Sequence, residues 1–134
     1  MSKFHGEYIS YRVSKATESL GDARILAENK SWNACVNRLY YACYYIVSAL
    51  LLKSQLNTQT HSGVKTLFNL HFIKTGKLTV EDGRLYSDLM DWRQKGDYGD
   101  MFDFDKETVL PLIPLVSSFI QRVEKLLETD NPVI

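Results

Sequence analysis

Apolar positions recur at helical spacing along most of the chain, and one stretch dominates the pattern. Ser31 to Ser54 reads SWNACVNRLYYACYYIVSALLLKS, and Leu39 to Leu52 within it carries no charge. At about 100° per residue, Trp32, Cys35, Leu39, Ala42, Cys43, Ile46 and Leu50 fall on one side. Asn33, Asn37, Tyr41, Tyr44 and Ser48 fall opposite, with Arg38 and Tyr45 at the edge. This predicts an amphipathic helix whose second face is built of tyrosine and amide, where Lys and Glu are the usual residues. Ser31 is placed to cap it. A strand is excluded by length, since strands rarely exceed about ten residues. The uncharged run is shorter than the ~20 residues a membrane span needs, so no membrane span is expected.

The flanking segments repeat the helical period. Val13, Ala16, Leu20, Ala23 and Ala27, with Ile25 and Leu26, predict a first helix over Ile9–Asn29, preceded by an arm over Met1–Glu7. Asn29 to Ser31 is short enough to make antiparallel neighbours. Val64, Leu67, Phe68, Phe72 and Ile73 predict a third helix over His61–Thr75, with Gly76 just past its end. Thr79 caps a fourth, which buries Leu85, Leu89 and Trp92, keeps Tyr86 and Met90 at its flanks and fades near Gly96 or Gly99. Asp105 caps a last helix, which Pro111 and Pro114 break into a short piece and a long one over Pro114–Glu128. Leu115, Phe119, Val123 and Leu126 face inward on it, and Asp130–Ile134 is a tail. No alternating segment remains. The expectation is one all-α domain over residues 1–134, a five-helix antiparallel bundle with a proline-kinked last helix.

Composition narrows the function. Lys+Arg and Asp+Glu are both 16 in a chain of 134 residues, so the broad basic footprint of a nucleic-acid binder is absent and only a local patch remains possible. Cys35 and Cys43 lie eight residues apart on one predicted helix, roughly 12 Å by helical rise. That is beyond the ~7 Å limit for a disulfide. With no apolar stretch near the N-terminus, a cytoplasmic location is the expectation. His5, His61 and His71 have no partners at ligand spacing, so neither metal nor other cofactor is expected.

Ala34, Asn37-Arg38 and Tyr40-Tyr41-Ala42 form A-x-x-N-R-x-Y-Y-A. Thr60-His61-Ser62-Gly63 follows, then Arg93-x-x-x-Asp97-Tyr98. In this order they resemble the HEPN superfamily (higher eukaryotes and prokaryotes nucleotide-binding), in particular its small stand-alone prokaryotic members. The likeness runs from about Ala16 to Leu127. It implies a helical bundle, a homodimer with a composite site, and a role beside a minimal nucleotidyltransferase in a toxin–antitoxin-like pair, binding RNA or a nucleotide. The alternative it implies is a metal-independent RNA endonuclease acting at the dimer interface. Active members resemble one another in an arginine followed, after four to six residues, by a histidine. Here Tyr98 stands where the histidine is expected after Arg93, and tyrosine, with an ordinary pKa near 10, is a poor general base.

Three groups of candidates follow. Arg93, Asp97 and Tyr98 would carry any catalysis, with arginine stabilising a phosphorane-like transition state. The structural alternative is an Arg93–Asp97 ion pair one turn apart. Asn37, Arg38, Tyr41 and Tyr45 would bind phosphate and stack a base. Alternatively Asn37 and Arg38 are buried and tie helix ends together while the tyrosines fill core. Thr60 before His61 at a helix start reads as a cap with a pH-sensitive neighbour, and His61 is counted with the nucleotide- or RNA-binding candidates. Tyr86, Met90, Tyr98, Met101, Phe102 and Phe104 would line the dimer surface, unless Phe102 and Phe104 fold back on their own bundle.

Overall fold

The computed structural model describes residues 3–129, all of whose regular structure is helical. The tail over 130–134 lies outside the described residues. The helices are α1 (Lys3–Glu28), α2 (Trp32–Lys53), α3 (His61–Phe68), α4 (Val80–Tyr98), α5 (Lys106–Val109) and α6 (Leu112–Leu127). The last pair is the predicted broken helix, so the five-helix bundle stands.

α2 is the axis, packing against every other helix of the bundle. Cys35, Val36, Leu39, Tyr40, Ala42, Cys43, Ile46, Val47 and Leu50 are sealed from solvent. Both cysteines are free and buried. Burial pushes the Cys35 thiol up to about 11, which keeps it protonated and unreactive. By length and composition α2 alone, among the described residues, passes as a membrane span, yet two-thirds of its apolar window is buried inside the bundle.

α1 lies along α2 through small residues, Ala16, Ser19, Ala23 and Ala27. These let the backbones approach until the Cys35 thiol donates to the Ala23 carbonyl at 3.3 Å. α1 begins at Lys3, so most of the expected arm is helix, and Ile25 faces water at 57% exposure. Ser31 occupies the N-cap position of α2 but its side chain makes no capping bond. The turn before it is closed instead by backbone bonds and by Lys30 in the left-handed region at φ 60°.

The third predicted helix ends early. After α3 the chain opens into one π turn over Asn69–Ile73, and Gly76 at φ 81° reverses it. The wider turn keeps Val64, Phe68 and Phe72 all facing the core and leaves Leu70 outside. α6 starts at Leu112 and not Pro114, which turns its buried face to Leu112, Val116, Phe119, Ile120 and Val123 and leaves Leu115 exposed.

Two polar ties hold the ends. Asp82, 1% exposed, completes a capping box with Thr79 at the start of α4 and binds the Arg122 guanidinium of α6. Asn33 of α2 pins the loop after α4: its amide donates to the carbonyls of Phe102 at 2.8 Å and Gly96 at 3.3 Å. Its carbonyl accepts from the Phe104 amide at 2.8 Å. Phe104 is buried and Phe102 stands edge-on to it at 4.8 Å. The two phenylalanines therefore fold back on their own bundle. Tyr86 is likewise core, fully buried, and not a flank residue. Of the expected dimer surface, Tyr98 and Met101 remain fully available, at 75% and 97% exposure.

Asn33→Ala orphans three backbone groups at once. It is expected to cost about 2 kcal/mol, given ~1–3 for one unsatisfied buried group and the partial exposure here. Limited proteolysis should then cut between 99 and 104; an unchanged digestion pattern would contradict the pinning.

Candidate anion pocket

Three elements meet at one end of the bundle. α2 presents Asn37, Arg38, Tyr40, Tyr41 and Tyr44; the last turns of α4 present Arg93, Asp97 and Tyr98; the first residue of α3 is His61. Arg93 is the centre. It is only 8% exposed, and its guanidinium lies 5.3 Å from the Tyr40 ring, 5.6 Å from Tyr41 and 6.0 Å from Tyr98. Aromatic faces attract a cation that has lost its water, which is how a charge this buried is tolerated. Its Nη1 pairs with Asp97 Oδ2 at 3.5 Å, while its Nε is buried with no partner.

A polar relay runs from there to the rim. Asp97 Oδ2 accepts from the Asn37 amide at 3.0 Å. Asn37 Oδ1 accepts from Arg38 Nε at 2.9 Å and Nη2 at 2.8 Å. Arg38 also covers the Tyr41 ring at 5.0 Å. Tyr41 therefore has two guanidiniums against its ring, and only Arg93 is paired directly to a carboxylate, while Arg38 reaches Asp97 through Asn37. A positive excess faces the pocket although the whole chain is neutral.

His61 closes the far side. Its ring stacks on Tyr44 with centroids 4.6 Å apart and meets Tyr41 edge-on at 5.9 Å. Its Nδ1 is 2.6 Å from the buried Tyr40 hydroxyl. Burial first, then the charge of Arg93, hold the imidazole below its usual pKa. Burial pushes the Tyr40 phenol up to about 12. A histidine with a lowered folded pKa favours the fold while it is neutral. That contribution is complete above about pH 6.5 and is lost as pH falls further, because the unfolded chain then takes up the proton first. In His61→Gln the decline of melting temperature between pH 6.5 and 5 is expected to flatten; an identical decline would exclude His61 as its source.

The structure thus brings together seven of the eight residues singled out from sequence. Tyr45 is the exception. Its ring neighbours Tyr41 and Tyr44, but it lines an adjoining groove of about 280 Å³, which Tyr44 shares, with Arg12, Ser48, Leu56 and Asn57. The Arg93–Asp97 ion pair expected as the structural alternative is present. Asn37 and Arg38 are hydrogen-bonded as expected, but they are half-buried at the rim, and the buried arginine is Arg93. Tyr40 and Tyr44 were missed as pocket residues, although Tyr40 sits inside the Y-Y-A motif. Arg93→Ala is accordingly expected to destabilise by about 2–3 kcal/mol, since it empties a packed aromatic slot. Arg38→Ala should cost under ~1, the range of exposed pairs. Urea midpoints giving the reverse order would contradict this placement. Among the described residues no three His, Cys, Asp or Glu side chains are grouped to hold a metal.

The chain is thus an all-α bundle with an arginine caged by tyrosines where α2, α3 and α4 meet. The HEPN domain model matches residues 9–126, and the chain belongs to the HEPN family. A protein of Thermotoga maritima called UPF0332 protein is 42% identical over 90% of this chain and 91% of its own. Two proteins of Methanocaldococcus jannaschii, each named "putative toxin", are 33% and 34% identical. They cover 89% and 91% of this chain, and 81% and 90% of their own lengths.

Proposed function

We propose that this chain is a toxin-like HEPN module that binds the phosphate of RNA or of a nucleotide between Arg93 and Arg38. The observation that carries this is the pair of guanidiniums, Arg93 and Arg38, set 5.6 and 5.0 Å from the one Tyr41 ring, with Asp97 the only carboxylate paired to either among the described residues. A phosphate held between them would take charge-assisted hydrogen bonds of the kind that arginine's fork favours. Tyr98, 75% exposed beside Arg93, offers a ring on which a base can stack. The toxin-like role rests on the names of the two archaeal relatives.

The reading extends to partners. A homodimer would place the exposed Tyr98 and Met101 against a second copy, beside the pocket. A minimal nucleotidyltransferase is the proposed companion in a toxin–antitoxin-like pair. The buried free cysteines and the enclosed α2 suit a cytoplasmic setting.

The test is fluorescence anisotropy with a labelled single-stranded oligoribonucleotide, with ATP as competitor. Saturable binding is expected at low salt, weakened at least tenfold in Arg93→Gln, the order of one charge-assisted hydrogen bond lost. With about two phosphates neutralised, the salt slope should be near −1.4, roughly a sevenfold loss from 50 to 200 mM. Absence of saturable binding, or an Arg93→Gln variant that binds equally well, would overturn the reading.

A further inference from the structure

We propose that His61, locked by Tyr40, contacts the same phosphate as a neutral hydrogen-bond donor through Nε2–H. This rests on the phosphate-binding reading above and names a third ligand-contacting group for it.

The geometry is specific. The Tyr40 hydroxyl and His61 Nδ1 are 2.6 Å apart, and Tyr40 is completely buried. The phenol has two polar neighbours, His61 Nδ1 and the buried Tyr86 hydroxyl; Tyr86 is placed to donate to the Tyr40 oxygen, which leaves the Tyr40 proton for Nδ1. Nδ1 then accepts, and the proton of the neutral imidazole must sit on Nε2. Nε2 has no partner among the described residues, nor is it among the sealed, unsatisfied atoms. It is therefore open to a ligand. Stacking on Tyr44 fixes the ring plane, so the N–H vector is fixed as well.

The surroundings keep the imidazole neutral. The titratable groups facing it are Tyr40, Tyr41 and Tyr44 from α2 and Arg93 from α4. No carboxylate is among them. Its own helix adds the partial positive charge of an N-terminus, where Thr60 caps Gly63 at 2.9 Å. Arg93 supplies a charge and His61 an uncharged, oriented donor. Two like charges side by side would repel, whereas this pair does not. The ligand class is a phosphate monoester or diester. The same lock denies His61 a role as general base, because the free nitrogen already carries the proton.

The experiment uses the full chain with ¹⁵N-labelled histidine and the oligoribonucleotide as probe. His61 resonances are assigned from His61→Gln. In the free protein the long-range ¹⁵N–¹H pattern should be that of the Nε2–H tautomer, and Nε2 should shift on titration with RNA. Affinity should fall about tenfold in His61→Ala, stay within about threefold in His61→Gln, whose amide can donate from a similar point, and change less than about threefold from pH 6 to 8. Tyr40→Phe should give mixed tautomers. An Nδ1–H tautomer in the wild type overturns the inference. So does an unchanged His61→Ala affinity while Arg93→Gln still weakens binding, or an affinity that collapses above pH 6.5 as an imidazolium would require. If the wild type binds no RNA at all, the phosphate reading and this inference fall together.

Discussion

Asp82→Ala is expected to lower stability by about 3 kcal/mol, the largest single-residue effect in the molecule outside the apolar core. Two terms combine. The carboxylate is the reciprocal half of the Thr79 capping box, accepting from the Thr79 amide at 3.1 Å, and loss of a cap costs about 1 kcal/mol. It also accepts from Arg122 Nε at 3.1 Å, a bond to a charged partner worth roughly 1.5–3 kcal/mol. Arg122 is itself 45% exposed, so it can return to water. That keeps the total near the lower edge of the ~3–5 kcal/mol for breaking a fully buried pair. Arg122→Ala should cost a similar amount at neutral pH for a different reason: it leaves the carboxylate buried with Thr79 alone. The acid response separates the two variants. Burial alone would raise the Asp82 pKa, but the hydrogen bonds from Arg122 and Thr79 outweigh it and hold the carboxyl below its ordinary 3.8. A depressed folded pKa gives stability that is complete above that value and is lost as pH falls through the folded one. Below about pH 3.8 the wild type should therefore lose stability more steeply than Asp82→Ala. Urea midpoints at pH 7 and pH 3 measure both effects. An Asp82→Ala midpoint equal to wild type at pH 7 would show that the tie between α4 and α6 carries no net energy.

What the sequence revealed and what it hid follow from the range of the interactions. The face of α2 is a local pattern, so its apolar half could be read directly, and so could the Thr79 and Asp105 caps. The bond between Asp82 and Arg122 spans forty residues, and nothing in either neighbourhood announces the other. In its own neighbourhood Asp82 is only an acid in the first turn of a helix, where the dipole favours one, and nothing local marks it for the core. The two arginines were weighed the wrong way round for a physical reason. Arg38 sits in the most apolar helix, which suggested burial, but its position on the polar face brings it to the rim. Arg93 belongs to a much more polar helix, yet the rings of Tyr40, Tyr41 and Tyr98 surround it. Aromatic faces make a home for a guanidinium that hydropathy does not register. His61 was legible as a member of the site because a hydroxyl-histidine pair at a helix start stands out. Its lock by Tyr40 was not, because that pairing depends on how α3 lies across α2. The π turn after α3 was also hidden: Leu67, Phe68, Phe72 and Ile73 fit an ordinary helix equally well, and only packing of Phe68 and Phe72 against the bundle selects the wider turn.

Tyr98→His is expected to convert the proposed phosphate site into a ribonuclease site, raising cleavage of single-stranded RNA about 100-fold over the parent chain, the lower range of a general acid–base contribution. The parent chain should cleave weakly or not at all. Cleavage through the ribose 2′-hydroxyl needs a group that can take its proton near neutral pH. The pocket has the electrostatic half of such a site in Arg93 and Arg38, but no free base. Phenols are protonated at that pH, and with Tyr40 donating to its Nδ1, as proposed above, His61 turns a protonated nitrogen outward. Position 98 is the right place for the missing group. Its ring lies 6.0 Å from the Arg93 guanidinium and is 75% exposed, so an imidazole there reaches the same ligand and remains solvated. A solvated imidazole titrates near 6.5, close to the working pH. It also restores the arginine, four residues, histidine spacing of the active members this chain resembles. The gain should survive EDTA, because the mechanism asks for no metal, and should disappear in the double variant Tyr98→His with Arg93→Gln. A Tyr98→His protein that still binds the oligoribonucleotide but cuts it no faster than the parent would show that the pocket holds RNA in a pose where the 2′-oxygen and the leaving oxygen are not in line. In that case binding alone is the activity of this site.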